Sequence, residues 1–210
     1  MQLVLVRHAL PHRVHSDGNG TPADAADPGL TELGHRQAAT LVEALGGTVV
    51  DGLHSSTMAR AVETIAPLAG ALGLQPARTA DLAEYDVADP HYVPVHEMAR
   101  LDPASWNRLR AGLLPEHVDV DAFRARAVAA VEAVVAAHPG QGTAVVVAHA
   151  GVLNIYLAHV LGIERPLPFP LDYAGITRVV CGRDGRRTVR SVNEIGHVAP
   201  LLAEVGAAPG

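Results

Sequence analysis

The stretch Leu3-Val4-Leu5-Val6, which leads directly into Arg7-His8, is an uninterrupted aliphatic run. A strand that is apolar in both side-chain directions needs cover on both faces, so it belongs in the middle of a sheet with helices on either side. A second run of this kind, Ala144–Ala148, predicts a second central strand. Together the two runs favour an α/β protein with a mostly parallel sheet.

Helical and strand patterns alternate along the rest of the chain. Apolar residues recur at helical spacing in four segments, which begin near Thr31, Met58, Asp121 and Val152. Shorter strands are predicted at Thr48 to Leu53 and at 77–83, and Asp184-Gly185 is expected to join Ile176–Cys181 and Arg187–Val192 in an antiparallel hairpin. This alternation predicts a three-layer α/β/α sandwich with a mostly parallel central sheet.

We expect a single domain over residues 1–210, because no internal repeat or linker interrupts the pattern. Residues at about 84–118 have no clean period and contain Pro90, Pro94 and Pro103. A short helix is predicted there, near Ala104–Arg110. This excursion is the predicted lid or substrate-selecting part of the protein. The last dozen residues are expected to be loosely tied.

The charged residues exclude several classes of function. The 210 residues carry a formal net charge of −6, and all 16 residues counted as Lys or Arg are arginines. A mildly acidic chain without basic runs is a poor candidate for binding nucleic acid or acidic membranes. Mechanisms that need a lysine are ruled out. The single cysteine, Cys181, excludes an internal disulfide framework.

No export signal or membrane span is recognised in the sequence, so we expect a cytoplasmic protein. The oligomeric state cannot be read from the sequence, and a homodimer is left open.

Polar side chains follow the predicted central strands where each one ends. Arg7-His8 ends the first strand, His54-Ser55-Ser56 the second, and His149-Ala150-Gly151 follows Ala144–Ala148. Arg60 lies in the first turn of the helix after Ser56. Ligands of such sheets bind at the carboxyl ends of the strands, and arginine beside helix N-termini attracts phosphate oxygens. The pattern therefore predicts a phosphate site with a histidine nucleophile.

Four segments resemble the motifs of the histidine phosphatase superfamily, the phosphoglycerate-mutase-like family. The Leu5–Ala9 stretch is similar to its R-H-G signature. Leu30–Gly34 with Gln37-Ala38 is similar to L-T-x-x-G-x-x-Q-A, Ser55–Ala61 with Thr64 to S-S-x-x-x-R-A-x-x-T, and Val145–Gly151 to V-V-x-H-G-G. Asn193 to His197 is a weaker match. Four motifs in the same order are far more specific than any one alone.

The resemblance implies a role for each matching residue. His8 would attack phosphorus and become phosphohistidine, while Arg7, Arg60, His149 and Ala150 would bind the phosphoryl oxygens. His149 would also stabilise charge in the transition state, and Glu84 would protonate the leaving oxygen and then help to activate water. The implied function is hydrolysis of a small-molecule phosphate monoester, without metal or cofactor.

The sequence departs from the family pattern at several positions. Ala9 replaces a glycine, Val14 falls near a position that is often Asn, and Tyr85–Pro90 replaces G-x-W-E-G after the acid. The last difference keeps other acids open as the proton donor, namely Asp81, Asp86 and Glu97.

Alternative functions also remain open. One is a phosphomutase of the phosphoglycerate-mutase type, which we rank below a hydrolase because the excursion has few cations. Another is a non-catalytic phosphate-binding regulatory protein on the same fold. A metal site at His12 and His15 is the least favoured, because a solvated loop accounts better for these two residues.

Overall fold

The computed structural model describes residues 1–14 and 25–205, in which six strands form one sheet in the order β3-β2-β4-β1-β5-β6. The strands are β1 (Gln2–Arg7), β2 (Gly52–Ser56), β3 (Ala77–Thr79), β4 (Thr143–Ala148), β5 (Ile176–Cys181) and β6 (Arg187–Glu194). The helices are α1 (Glu32–Leu45), α2 (Ala59–Leu72), α3 (Val95–Leu101), α4 (Pro103–Arg110), α5 (Val120–Ala137), α6 (Ala150–Leu161) and α7 (Ala199–Val205). A single turn of 3₁₀ helix at Ala80–Leu82 follows β3.

Strand β1 lies inside the sheet, between β4 and β5. It runs parallel to β4, from the pair Gln2 and Thr143 to the pair Arg7 and Ala148, and antiparallel to β5. Strands β2 and β3 continue the parallel part of the sheet, and β5 with β6 forms the expected antiparallel hairpin. The carboxyl ends of β1, β2 and β4 therefore meet at one edge.

The side chains of β1 divide between two hydrophobic cores. Leu3 and Leu5 pack with helices α5 and α6 on one face of the sheet, whereas Val4 and Val6 pack with α1 and α2 on the other. All four side chains are excluded from solvent. This arrangement confirms the predicted three-layer α/β/α sandwich with a mostly parallel sheet.

The ends of several elements differ from the sequence prediction. Strand β2 begins at Gly52 rather than near Thr48, because pairing with the neighbouring strand begins at Asp51, which exchanges hydrogen bonds with Thr143. Val49, predicted within this strand, is 83% exposed. The excursion contains α3 in addition to the expected α4. The last dozen residues, expected to be loosely tied, include α7. This helix packs on α1, and Arg36 forms an ion pair with Glu204.

Gly34 allows helix α1 to pack closely against the segment that follows β1. A Cβ atom at Gly34 would lie 2.1 Å from the backbone oxygen of Leu10. We therefore expect Gly34→Ala to lower the free energy of unfolding by about 1–3 kcal/mol, since backbone atoms must move apart. Urea denaturation measures this change.

Gly70, inside helix α2, supplies the matched control. A Cβ atom there meets no described atom within 4 Å. Gly70→Ala should raise the free energy of unfolding by about 0.5–1 kcal/mol, because alanine is the better helix former. Equal stability of the two variants would contradict the packing described for Gly34.

Candidate active site

Four of the predicted site residues meet at the carboxyl edge of the sheet and are nearly excluded from solvent. Arg7 and His8 lie at the end of β1, His149 directly follows β4, and Arg60 lies in the first turn of α2. Their exposed fractions are 7%, 3%, 0% and 0%, in that order. The ring centroids of His8 and His149 are 5.2 Å apart. Their proximity follows from the parallel pairing of β1 with β4.

The backbone determines which nitrogen of His8 is protonated. Nδ1 lies 2.8 Å from the carbonyl oxygen of Ala9. A carbonyl oxygen only accepts hydrogen bonds, so Nδ1 carries the proton and Nε2 has a free lone pair. Nε2 has no hydrogen bond within the described part of the chain, and His8 lines a cavity. His8 is therefore held as a neutral imidazole with a nucleophilic nitrogen.

His149 has the opposite tautomer. Arg60 donates from Nε to Nδ1 of His149 over 3.2 Å, so the proton of the neutral ring is on Nε2. This Nε2 is buried and has no hydrogen-bond partner among the described residues. His149 can therefore donate one hydrogen bond to a ligand without any change in its protonation.

Both imidazoles are kept neutral by their surroundings. Burial lowers the pKa of His8 well below its ordinary value, and the charges of Arg60 and Arg7 lower it further. Burial also lowers the pKa of His149, followed by the charge of Arg60 and the proximity of His8. Protonation would place another positive charge beside two guanidinium groups away from water. At neutral pH, His8 needs no deprotonation before it can attack.

Arg60 is held from two sides. Its Nη2 donates to Oδ1 of Asp86 over 2.7 Å, and its guanidinium carbon lies 4.6 Å from the ring centroid of Tyr92. Its Nη1 is buried and has no partner within residues 1–14 and 25–205.

Arg7 is positioned in a similar way. Nη1 donates to the carbonyl oxygen of Leu171 over 2.5 Å, and the guanidinium carbon lies 4.0 Å from the ring centroid of Tyr173. Its buried Nε lacks a partner in the described structure. With Nη1 of Arg60 and Nε2 of His149, the site thus holds three unpartnered donors. Each such group costs about 1–3 kcal/mol when it is left unsatisfied, so the three are suited to an anion with several oxygens.

Glu84 lies beside the start of helix α6. Its Oε2 accepts from the backbone N–H of Gly151 over 2.7 Å, and its Oε1 accepts from the backbone N–H of the next residue, Tyr85, over 3.2 Å. Burial, and then the charge of Asp86, raise the pKa of Glu84 to about 7, although the hydrogen bond from Gly151 opposes this. A carboxyl group with this pKa can donate and regain a proton near neutral pH.

The other three acids considered from the sequence lie elsewhere or are engaged. Asp81 is exposed at the surface. Asp86 pairs with Arg60. Glu97 pairs with Arg13 at 2.5 Å. Of the four carboxylates, Glu84 is the one that combines a position in the cavity with freedom from any ion pair in the described residues.

A turn at 172–175 supports the Arg7-His8 segment, and the sequence did not predict its role. Ala174 donates from its backbone N–H to the carbonyl oxygen of Arg7 over 3.1 Å. The side chain of Asn193 accepts from the backbone N–H of Asp172 and donates to its carboxylate. His197 lies 3.1 Å from the carbonyl oxygen of Ala174 and must donate to it. The weak motif match at Asn193 to His197 is the feature of the sequence that could have predicted these hydrogen bonds to the turn.

A cavity of about 860 Å³ opens above these groups. Arg7, His8, Arg60 and Glu84 line its inner end, together with Ala150 and Gly151 at the start of α6. The first N–H groups of a helix have no partner within the helix and favour anions. Ala150 lies at such a helix N-terminus, and its role in phosphate binding stays a prediction.

The family model of the histidine phosphatase superfamily, branch 1, matches residues 3–194. The chain belongs to this superfamily. The predicted family is confirmed, and with it the enzyme class, a phosphohydrolase of the phosphoglycerate-mutase-like type. No curated protein matches this histidine phosphatase in sequence.

Several solved structures share the fold, and two of those named here are phosphatases. YhfR of Bacillus stearothermophilus has a TM-score of 0.73 and 22% identity, covering 93% of this chain and 98% of that one. A mycobacterial glucosyl-3-phosphoglycerate phosphatase complexed with VO3 has a TM-score of 0.70 and 26% identity, covering 91% and 98%. A phosphoserine phosphatase mutant of Entamoeba histolytica, in complex with phosphoserine, has a TM-score of 0.71 and 19% identity, covering 94% and 98%.

Two further expectations from the sequence concern a metal site at His12 and His15 and a membrane-spanning segment. Among residues 1–14 and 25–205, no three His, Cys, Asp or Glu side chains are grouped so that they could hold a metal ion. His12 is exposed, and His15 lies outside the described residues. None of the described helices is long and apolar enough to span a membrane. The cytoplasmic location of this histidine phosphatase stays a prediction.

Gly151 leaves room for the carboxyl group of Glu84. A Cβ atom at Gly151 would lie 2.3 Å from Oε1 of Glu84. We expect Gly151→Ala to displace this carboxylate and lower kcat for an alkyl phosphate by about 10- to 100-fold, since small misplacements of catalytic groups have effects of that size. Steady-state kinetics and a thermal unfolding curve check this. Gly70→Ala is the control and should retain full kcat; full kcat in Gly151→Ala would rule out the described position of Glu84 as the working one.

Proposed function

We propose that this histidine phosphatase hydrolyses small-molecule phosphate monoesters through a phosphohistidine intermediate on His8, without a metal ion. The observation that carries the proposal is the free Nε2 of His8 beside three buried donors that lack partners in the described structure. A phosphoryl group supplies the oxygens that these donors need and the electrophile that the imidazole needs.

In the first step, the lone pair of His8 Nε2 forms a bond to phosphorus as the bond from phosphorus to the ester oxygen breaks. Arg7, Arg60 and His149 donate hydrogen bonds to the phosphoryl oxygens, and Ala150 lies at the helix N-terminus beside them. Positive charge develops on the imidazole, and the hydrogen bond from Nδ1 to Ala9 stabilises it. Glu84 donates its proton to the leaving oxygen, which departs as an alcohol.

In the second step, Glu84 is a carboxylate and takes a proton from water. The water oxygen bonds to phosphorus, the bond to His8 breaks, and its electron pair returns to Nε2. Phosphate leaves, and both His8 and Glu84 regain their starting protonation states. Because the donors are fixed before substrate enters, they need little reorganisation during either step.

Hydrolysis is supported over phosphomutase chemistry by the charges along the cavity. A mutase must hold a second phosphate group, which calls for cations beyond the inner end. Beyond the inner end, Asp89 and Asp102 line the cavity together with Arg110 and Arg165, so the two acids offset the charge of the two additional arginines. The intact set of His8 and its donors also disfavours a purely binding role. The relatives named for phosphoserine and for glucosyl-3-phosphoglycerate support a small phosphate ester as the substrate.

Replacement of His8 tests the intermediate. His8→Ala should lower the hydrolysis of p-nitrophenyl phosphate to background, because no other described side chain offers a free nucleophilic nitrogen at the inner end of the cavity. Rapid quench in alkaline denaturant with ³²P-labelled substrate should trap label on the wild-type chain and not on the variant, since phosphohistidine is stable in alkali, with His54→Ala as the control. A variant that keeps its turnover, or a wild type that loses turnover with EDTA, would overturn the proposal.

The pH dependence tests Glu84. The acid must be protonated to donate, and its pKa is about 7. The kcat/KM for an alkyl phosphate should therefore fall about tenfold per pH unit above pH 7. Glu84→Gln should abolish this alkaline limb and lower kcat by roughly 10²- to 10⁴-fold.

The leaving group makes this test specific. p-Nitrophenolate departs readily without a proton, so Glu84→Gln should affect p-nitrophenyl phosphate far less than butyl phosphate. Equal losses for both esters would show that Glu84 acts in another way. Glu97→Gln, which removes the partner of Arg13, is the matched control and should preserve the alkaline limb for butyl phosphate.

A further inference from the structure

Helices α3 and α4 form one wall of the cavity, and their apolar side chains have little else to pack against. Neither helix contains a residue that the described part of the chain buries completely. Met98, Trp106 and Leu109 are half-buried, and all three line the cavity. Large apolar groups left partly wet in this way indicate a surface that a ligand covers.

A second part of the cavity lining is also apolar, and it is held by hydrogen bonds. Leu167, Phe169 and Leu171 line it. Asn154 donates from Nδ2 to the carbonyl oxygen of Phe169 over 3.1 Å and accepts from its backbone N–H over 2.9 Å. Asn154 belongs to helix α6, which begins directly after His149. The position of Phe169 is thus fixed relative to the phosphate-binding groups.

Several polar side chains that line the outer cavity already have partners. Asp102 accepts from the backbone N–H of Ser105, and Asp172 accepts from Asn193. The side chain of Asn154 is hydrogen-bonded to the backbone of Phe169, and Asp86 accepts a hydrogen bond from Arg60. A sugar or amino-acid leaving group packed against the apolar side chains of this lining would lose hydrogen bonds to water there, because the polar side chains named here are already engaged.

We propose that the substrates are phosphomonoesters of apolar alcohols or phenols, with the alkyl or aromatic part held between Trp106 and Phe169. The proposal rests on the proposed function, because the phosphate must lie against His8. The cavity of about 860 Å³ is within the range that encloses ligands of drug size, and leaves ample space beyond the phosphate.

A series of n-alkyl phosphates tests this directly. Ethyl, butyl, hexyl and octyl phosphate have nearly the same leaving-group chemistry and differ in apolar area. The kcat/KM should rise by up to about fourfold per added methylene until the cavity is filled. Hexyl phosphate should be preferred over glucose 6-phosphate, a six-carbon primary ester covered with hydroxyl groups. A flat series, or a preference for the sugar phosphate, would overturn the proposal.

Truncation of an apolar side chain of α3 or α4 should weaken the dependence of kcat/KM on the length of the alkyl chain. Trp106→Ala is expected to lower kcat/KM for octyl phosphate by tenfold or more and to leave ethyl phosphate within about twofold. Met98→Ala provides a second, smaller truncation in α3 should the first variant unfold. Val49→Ala is the control, because Val49 is an exposed apolar residue that precedes β2, away from the carboxyl ends of the strands. Equal losses across the whole series in both wall variants would contradict the assigned contact.

Binding can be measured without turnover. Trp106 is the single tryptophan of the chain, so its fluorescence reports what enters the cavity. Octylphosphonate should shift the emission of the wild type to shorter wavelength, and methylphosphonate should not. If this shift occurs while no ester is hydrolysed, the apolar site stands and the proposed function fails. If all esters are hydrolysed equally and no shift occurs, the proposed function stands and the substrate class fails.

Discussion

The structure depends on a guanidinium group that is entirely withdrawn from water. A buried charge costs several kcal/mol unless its surroundings compensate for it. Asp86, the ring of Tyr92 and Nδ1 of His149 provide that compensation for Arg60. The backbone carbonyl of Arg60 accepts from Thr64, whose hydroxyl oxygen accepts from the N–H of Ala9. These hydrogen bonds join helix α2 to the segment after β1 at the residue that carries the buried charge.

This buried charge also decides the chemistry of its neighbours. With two guanidinium groups nearby and little exposure to solvent, neither imidazole can gain a proton at modest cost. In the proposed mechanism, one histidine thus serves as a nucleophile and the other as a hydrogen-bond donor, although both are neutral. Their different tasks come from their Nδ1 partners, a carbonyl oxygen that accepts and an arginine N–H that donates. The same residue type offers a free lone pair at one position and a free N–H at the other because the backbone and Arg60 select opposite tautomers.

The central sheet and the meeting of Arg7, His8 and His149 could be predicted from the sequence. The central strands are aliphatic runs that end in these residues, and a parallel sheet brings the carboxyl ends of its strands together. Contacts between distant loops carry no periodic signal. The rings that cover Arg7 and Arg60 belong to such loops. The pattern also does not predict the pairing of Nε2 of His54, in β2, with Nε2 of His138, at the end of α5, over 2.8 Å. Helix α3 was missed because it is short and its apolar side faces a cavity instead of a core. The start of β2 was misplaced because Val49 is apolar without being buried.

The position of β1 between β4 and β5 has a consequence for how the protein is made. Strand β1 leaves the ribosome before its two neighbours in the sheet, which are completed only at residues 148 and 181. At synthesis rates of roughly 5–20 residues per second, its aliphatic side chains wait about 10 to 30 s for their neighbours. During that interval Leu3 to Val6 form an unpaired hydrophobic segment, the kind of segment that chaperones bind and that favours aggregation. Assembly of the sheet and of the candidate active site therefore coincide, once β4 and β5 have been synthesised.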